Sequence, residues 1–575
     1  CSFHPLGLGK EVVNEFELKL ESTLKSQYKE NSGPFLWKGF RKKTRKFKPM
    51  KKLLFLVVGL ITSLASAQDF HAWIYFADKP NTLASLTNPQ SILTQRALDR
   101  KARHHIPIDD RDMPMNQLYV AQIKAQPGIA YKAQSKWFNC VHVVGTTSHI
   151  DALANFPFVS SIDYADPTKS ASSSHRDKFA QTVTTPLSYG TATNQIQMIG
   201  LDNLHNTGNT GSGMLIAVTD SGFPNVDINT GFAQLRNNNG IAGGWDFVDR
   251  DATIYEDHYH GARVLSVMAG NDPSNFEGTA PDARYHLFRT EEASQETPAE
   301  MSYWVQAAER ADSLGVDVIN VSLGYLDFDN TAESLDYQDM NGITAFISRG
   351  ANVAFEKGMV VVTSAGNSGN STLYPYNAAP ADALGAFSIG AVTATEVKSS
   401  FSSIGPTVDG RIRPDIAAQG SATATIDESG NLVATSGTSF SAPLISGSVA
   451  CLMQAFPNLT PQEIVDAVRA SAHQATTPDN LLGYGIPDFG AAQQTLNTTY
   501  FNLQDFNYYV KDKELIFTTA RGENATSFRL YNLQGQLILE ESVSQEAPID
   551  LHQIAAGLYL FRIDQKETTY KVVVR

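Results

Sequence analysis

The sequence predicts an α/β protein: a doubly wound, mostly parallel sheet in the middle of the chain, preceded by a small α+β segment and followed by a small all-β sandwich. Three observations predict it. Four short runs, "MLIAVTD" (Met214 to Asp220), "VDVINVSLG" (Val316 to Gly324), "GMVVVTSAGN" (Gly358 to Asn367) and "AFSIGAVT" (Ala386 to Thr393), are β-branched, apolar on both faces and ended by glycine or a polar residue. Strands buried on both faces of a parallel sheet read this way. Helix-period segments at Thr297 to Leu314 and Asn341 to Lys357 lie between them, so the expected arrangement is doubly wound, with its ligand site at the carboxyl ends of the strands. Beyond Thr495 the texture changes to short alternating strands, "SFRLYNLQGQLILE" and "GLYLFRIDQKETTYKVVVR", with a turn at Gln534-Gly535 and no helix-period segment.

Taken from the start, 575 residues exceed what one ordinary core organises. Hydrophobic residues at 42% and charged residues at 18% describe globular material rather than a disordered or multispan membrane chain. Residues 1–49 carry 11 Lys and Arg against 5 Asp and Glu, an excess of +6 that leaves −20 of the total −14 on the remainder. So acidic a body argues against nucleic acid as a partner. The run "LLFLVVGLITSL", Leu53 to Leu64, follows a basic "MKK" and precedes Ala65-Ser66-Ala67. Twelve residues are too few to span a bilayer as a helix, and the three-part pattern is that of a secretory signal peptide at 50–67, cut after Ala67. A buried core helix is the other reading of the run. Residues 1–49 then precede the start at Met50 as a leader without functional weight. Three cysteines give no disulfide framework, and Cys451, in the apolar "GSVACLMQAF", reads as a buried inert thiol.

Four residues in the middle of the chain carry the chemistry. Asp220 ends the first strand in "AVTDSG". His260, in "DHYHGARVLSVMAG", opens an apolar helix through Gly261, Val264, Leu265, Val267 and Met268. His258, two residues earlier, cannot share its helical face. The acidic cluster of Glu256, Asp257, His258 and His260 also admits a metal reading, although no zinc spacing completes it. Asn367 ends a strand in "TSAGNSG", where its amide can donate to an oxyanion or simply shape a turn. Ser439 sits where "SGTSFSAPLISG" enters a helix with Pro443 in its first turn. Unpaired N–H groups and the helix dipole there favour a negative oxygen. A serine hydroxyl is a poor nucleophile without a base beside it, so the value of these four lies in their combination.

That order, with the blocks "TGSGMLIAVTDSGF", "HGARV", "TSAGN", "GTSFSAP" and "YGIPDFGAA", resembles the subtilisin-like serine proteases, or subtilases. The resemblance implies a secreted serine endopeptidase with Ser439 as nucleophile, His260 as general base and Asp220 as the group holding the histidine's tautomer. Asn367 would complete the oxyanion hole, and Ser436, Ser441 and Ser446 would be structural. Where the family usually reads His-Gly-Thr-His-Val, this chain has His260-Gly261-Ala262-Arg263-Val264, which puts local packing or rate in question. "INVSLGY" is similar to the family's substrate-binding strand, so Ser322, Leu323 and Gly324, with Ser364, Ala365 and Gly366, would line the cleft and pair with an extended peptide. Neither wall carries an acid, which argues against strictly basic specificity.

By the same resemblance, residues 68–186 are a propeptide that chaperones folding and blocks the cleft, with the polar stretch Thr168 to Lys178 as the place for a cut; an ordinary substrate-binding domain is the alternative. Residues 187–498 form the peptidase domain, in which "TPQEIVDAVRAS" carries a helix start at Thr460, Pro461 and Glu463. Residues 499–575 resemble a type IX secretion sorting domain of Bacteroidetes, with an adhesive or carbohydrate-binding sandwich as the alternative. The expected partners are protein or peptide substrates and that secretion machinery, for a monomer released from or held on the outer surface. No cofactor is expected for catalysis, and structural calcium is compatible without assigned ligands. A peptide- or surface-binding pseudoprotease on the same fold is the competing function, although a binding protein has no need of all four residues.

Overall fold

The computed structural model describes residues 69–80, 83–165, 190–273, 275–504, 507–511, 513–518, 527–542, 548–563 and 570–574. The leader, the apolar run Leu53 to Leu64 and the stretch Thr168 to Lys178 lie outside the described residues.

The chain first builds a mixed layer from β1 (Asp69–Phe76), α1 (Gln95–Arg103), α2 (Gln117–Lys124), β2 (Ala130–Ser135), β3 (Cys140–Thr146) and β4 (Val159–Tyr164). Its four strands are antiparallel in the order β2-β3-β1-β4. Ala72 and Ile74 alternate inward from β1, Val141 and Val143 from β3, and Val120 and Ile123 of α2 close the same apolar cluster. This is the expected α+β segment.

Next come β5 (Leu215–Asp220), β6 (Ile241–Asp246), α3 (His260–Ala269), β7 (Arg284–Arg289), α4 (Pro298–Leu314), β8 (Val318–Val321), α5 (Phe346–Glu356), β9 (Val360–Ser364), β10 (Ala386–Val392) and β11 (Ile416–Gln419). The seven strands are all parallel, in the order β11-β10-β9-β8-β5-β7-β6. The chain leaves β5 toward β6 and β7, then returns to its other side with β8. The order therefore reverses between β5 and β8, where such sheets form their clefts. A hairpin, β12 (Thr423–Ile426) with β13 (Leu432–Thr435), leads into α6 (Thr438–Ala455), followed by α7 (Pro461–Ser471) and α8 (Phe489–Gln504). Helices α3, α6 and α7 share one apolar cluster with the sheet, and α4 and α5 share the other.

Local signals explain the helix ends. Thr297 and Glu300 form a capping box around Pro298, and α4 stops at Gly315 with φ +82°. Thr460 and Glu463 cap α7 in the same way. Three expectations are corrected. The helix anticipated from Asn341 begins at Phe346, because the Asn341 carboxamide accepts from the amides of Ile343 and Thr344 and holds a turn there. Helix does not end at Thr495: α8 runs on to Gln504, across the expected boundary at 498/499. Pro443 lies inside α6, six residues in, rather than in its first turn.

The C-terminal strands are β14 (Asn507–Lys511), β15 (Glu514–Thr518), β16 (Ser527–Tyr531), β17 (Leu537–Ser542), β18 (Ile549–Asp550), β19 (Gly557–Ile563) and β20 (Tyr570–Val574). They form two antiparallel sheets, β14-β15-β18 and β17-β16-β19-β20. Leu515 and Ile549 of the first share one core with Phe528, Leu530, Phe561 and Val572 of the second, so this is a sandwich.

The N-terminal layer lies on α4 and α5. Trp73 stacks on Phe346 with ring centroids 4.8 Å apart, and its indole N–H donates to Ser302 Oγ at 2.8 Å. Glu309 of α4 accepts from the amides of Lys136 and Trp137 and from the Ser135 hydroxyl. Charges are buried at the same contact. Arg100, fully buried in α1, pairs with Asp312 of α4 at 2.5 Å. Lys101 reaches Asp312 and Asp112, and Lys357, also fully buried, reaches Asp109 and Asp112 at 2.9 and 2.7 Å. Ions taken out of water are tolerated only when matched in this way.

Candidate active site

Asp220 is the last residue of β5 and is fully buried. Its carboxylate accepts from His260 Nδ1 at 2.8 Å (Oδ1) and 3.0 Å (Oδ2), and from the amide and hydroxyl of Ser221 at 2.8 and 3.0 Å. With Nδ1 carrying the proton toward Asp220, Nε2 is the nitrogen left to act as a base. His260 opens α3, and Gly261 behind it has no space for a side chain: a Cβ there would lie 2.3 Å from Gly222 O and 2.8 Å from Asp220 Cβ. Glycine at 261 is what lets the helix start against the carboxylate.

Ser439 is the second residue of α6, in the turn whose N–H groups have no acceptor within the helix. Its hydroxyl donates to Ser322 O at 3.2 Å, and the Ser322 hydroxyl donates back to Ser439 O at 2.9 Å. The second bond follows from Pro443. Ser439 O would ordinarily accept from the amide four residues on, and proline has none. Asn320 Nδ2 donates to Ser322 Oγ at 3.1 Å, Ser446 Oγ donates to Asn320 Oδ1 at 2.8 Å, and the indole of Trp304 donates to Thr219 Oγ1, which donates to Asn320 O. A buried hydrogen-bonded chain thus ties the start of α6 to the ends of β5 and β8.

Asn367 lies three residues past the end of β9 rather than at its end. Gly366, with φ +102°, turns the chain out of the strand, and a Cβ there would meet Ser403 Oγ at 2.9 Å. Asn367 Oδ1 accepts from the Thr438 amide at 2.9 Å and hydroxyl at 3.0 Å, which leaves Nδ2 as the donating end of an amide beside the α6 N-terminus. Ser322, Leu323 and Gly324 leave the sheet just after β8, and Ser364 Oγ donates to Leu323 O at 3.4 Å. Ser364 and Ala365 are buried at the end of β9 beside them. All ten residues singled out in the sequence therefore lie at the carboxyl edge of β5, β8 and β9 or at the starts of α3 and α6.

The cluster around His260 separates into different partners. Asp257, its carboxyl raised by partial desolvation, pairs with Arg289 Nε at 3.3 Å. His258 Nδ1 lies 3.3 Å from Ser221 Oγ. The sequence offers His258 only as part of a metal reading and carries no signal for the bond from the Ser322 hydroxyl, since both contacts join residues far apart in the chain. Arg263, in the place of the second histidine, pairs with Glu428 at 3.0 Å and lies over the Tyr259 ring. Cys451 is buried, its thiol pushed far up by desolvation, and Cys140 is likewise buried.

Residues 211–485 match the Subtilase family, and the chain is 31% identical to mycosin-1 of Mycobacterium tuberculosis over 339 residues, 49% of this chain and 69% of the relative. The chain belongs to the subtilase family. As a subtilase it is a hydrolase of the serine endopeptidase class. It is also 28% identical to subtilisin NAT of Bacillus subtilis subsp. natto over 281 residues, 48% of this chain and 65% of that one. Among solved structures it is similar to the MycP3 protease from the type VII (ESX-3) secretion system (23% identity, TM-score 0.44, 55% of this chain and 92% of that one). The flanks of this subtilase match families of their own: residues 71–181 the peptidase S8 propeptide domain of Bacteroidota, and residues 511–575 a secretion system C-terminal sorting domain. With those flanks the subtilase is a secreted or cell-surface protein. Among the described residues no helix is long and apolar enough to cross a membrane.

Proposed function

We propose that this subtilase hydrolyses peptide bonds through an Asp220–His260–Ser439 triad and an acyl-enzyme. The Ser439 oxygen attacks the scissile carbonyl carbon while His260 Nε2 takes the hydroxyl proton. Asp220 stays ionised, holds the proton on Nδ1 and stabilises the imidazolium. Asn367 Nδ2 and the Ser439 N–H donate to the carbonyl oxygen as it becomes an oxyanion, where fixed donors act most strongly. His260 then gives its proton to the leaving amine, and water attacks the acyl-enzyme by the same route in reverse. The substrate chain pairs with Ser322 to Gly324 on one side. The observation that carries this reading is the His260 Nδ1 to Asp220 contact at 2.8 Å with Ser439 at the start of α6.

The test is a serine-directed fluorophosphonate label followed by peptide mapping, run beside digestion of a random peptide mixture. Labelling confined to the Ser439 peptide, with both labelling and digestion lost in Ser439→Ala, supports the reading. A Ser439→Ala protein that still digests peptides refutes it.

A further inference from the structure

Ser221 lies between the Asp220 carboxylate and His258. Its amide and hydroxyl both donate to Asp220 Oδ1, and the same hydroxyl oxygen lies 3.3 Å from His258 Nδ1. The backbone fixes this contact: the His258 N–H donates to Ser221 O at 3.3 Å, and Asp257 bridges Gly222 in antiparallel fashion. Gly222, at φ +135°, makes the approach feasible, since a Cβ there would come within 2.4 Å of Glu256 O. The Ser221 hydroxyl has one proton, which goes to Asp220, so in this chain His258 Nδ1 is the donor to Ser221 Oγ. The Asp220 carboxylate is thus bonded to two imidazoles, to His260 directly and to His258 through one hydroxyl.

We propose that His258 is a positioning residue that sets the proton affinity of His260 through Ser221 and Asp220. The proposal rests on the triad reading above. His258 is half-buried against the Tyr259 ring, 4.3 Å between centroids. Among the described residues, the charged groups of the elements packed here include Asp220 and Arg289 at the ends of β5 and β7, Glu256 and Asp257 on its own loop, and Arg263 of α3, which lies over the ring of Tyr259. When His258 takes up a proton, its charge favours the Asp220 carboxylate and opposes a second imidazolium at His260. The base of the triad then stays neutral, and the enzyme active, to lower pH than it would without His258. A structural role for His258 would alter folding or KM but would leave that titration in place.

The experiment uses the full chain with labelled histidines in the Ser439→Ala form, which avoids self-digestion, and follows the His260 titration by NMR. The acid limb of kcat/KM is measured in parallel with Ser439 present. His258→Gln keeps an N–H donor for Ser221 but removes the ionisation, and it should raise the His260 midpoint and the acid limb together by about half a pH unit to one unit, with kcat well above neutrality changed less than about two-fold. In Ser221→Ala, which breaks the hydrogen-bonded relay and leaves only the direct repulsion between the charges, His258→Gln should add a clearly smaller shift. A His260 midpoint unmoved by His258→Gln overturns the proposal. A shift that persists in full in the Ser221→Ala background overturns the route through Ser221. Because the titration is read without activity, failure of the triad reading shows separately, as activity that survives His260→Ala.

Discussion

Ser322→Ala removes a single buried oxygen, and its cost can be worked from its partners. Ser322 Oγ accepts from Asn320 Nδ2 at 3.1 Å and donates to Ser439 O at 2.9 Å. Neither partner has a simple replacement, because Pro443 has removed the helical donor to Ser439 O and Asn320 is fully buried. Each buried group left unsatisfied costs about 1–3 kcal/mol. Two groups, with some relaxation, give a loss of about 2–4 kcal/mol, which is a large part of a typical domain's stability. The carbonyl affected belongs to the residue whose hydroxyl would attack substrate, so the loss should also reach the rate: a nucleophile displaced by a fraction of an ångström to one ångström costs about 10- to 100-fold in kcat. Stability is read by urea unfolding in the Ser439→Ala background, which keeps the same backbone carbonyl, and kcat by steady-state peptide hydrolysis. A Ser322→Ala protein within about 0.5 kcal/mol of its parent, with kcat unchanged, would refute the idea that this hydroxyl secures the start of α6.

Three further outcomes are expected. Asn367→Ala should lower kcat by about 10² to 10³ with little change in KM, since in the proposed mechanism its amide would act on the oxyanion more than on bound substrate; steady-state kinetics decides it, and an equal loss shared with KM counts against the role. Burial raises the Glu333 carboxyl to about 7. The folded chain therefore binds the extra proton between the ordinary carboxylate value and that pH, so its contribution favours folding at low pH and is lost as pH rises through about 7. Glu333→Gln keeps an acceptor for the His71 amide and should make the protein more stable than its parent at alkaline pH by about 1–3 kcal/mol, with the gain shrinking through mildly acidic pH and gone below about pH 4, where the carboxyl is protonated in both states, in urea melts across that range. Arg100→Met leaves buried Asp312 with Lys101 still beside it and should cost about 2–3 kcal/mol, while Arg100→Met combined with Asp312→Leu should recover only part of it, because Lys101 then loses a partner; the same melts compare the three.

The parallel sheet was legible because its strands are buried on both faces, and apolar runs such as "VVVTS" survive any choice of register. Asp220, His260 and Ser439 were legible because each lies at an element end marked by its own neighbours: Asp220 closes an apolar strand, Gly261 follows His260 at the start of α3 and Gly437 precedes α6. What stayed hidden depends on contacts made across the fold. The start of α5 was misplaced because Asn341 prefers its own turn to the helix that periodicity allowed. Pro443 looked like a helix-start signal, yet it sits deeper in α6 where Ser322, 117 residues away, supplies the missing donor. Nothing near His258 in sequence points to Ser221, and the backbone contacts at Ser221 and Gly222 bring the two together.

The matched charges on α1 have a consequence for dilution. While the chain is continuous, Arg100 and Lys101 meet Asp312, and Asp109 and Asp112 meet Lys357, within one molecule, at the effective concentration that a covalent tether supplies. A cut between Ala165 and Gly190 would turn that contact into an association of two chains, its persistence set by their concentration. At high concentration the two pieces would stay together, and dilution of the cut protein would favour separation of the N-terminal layer.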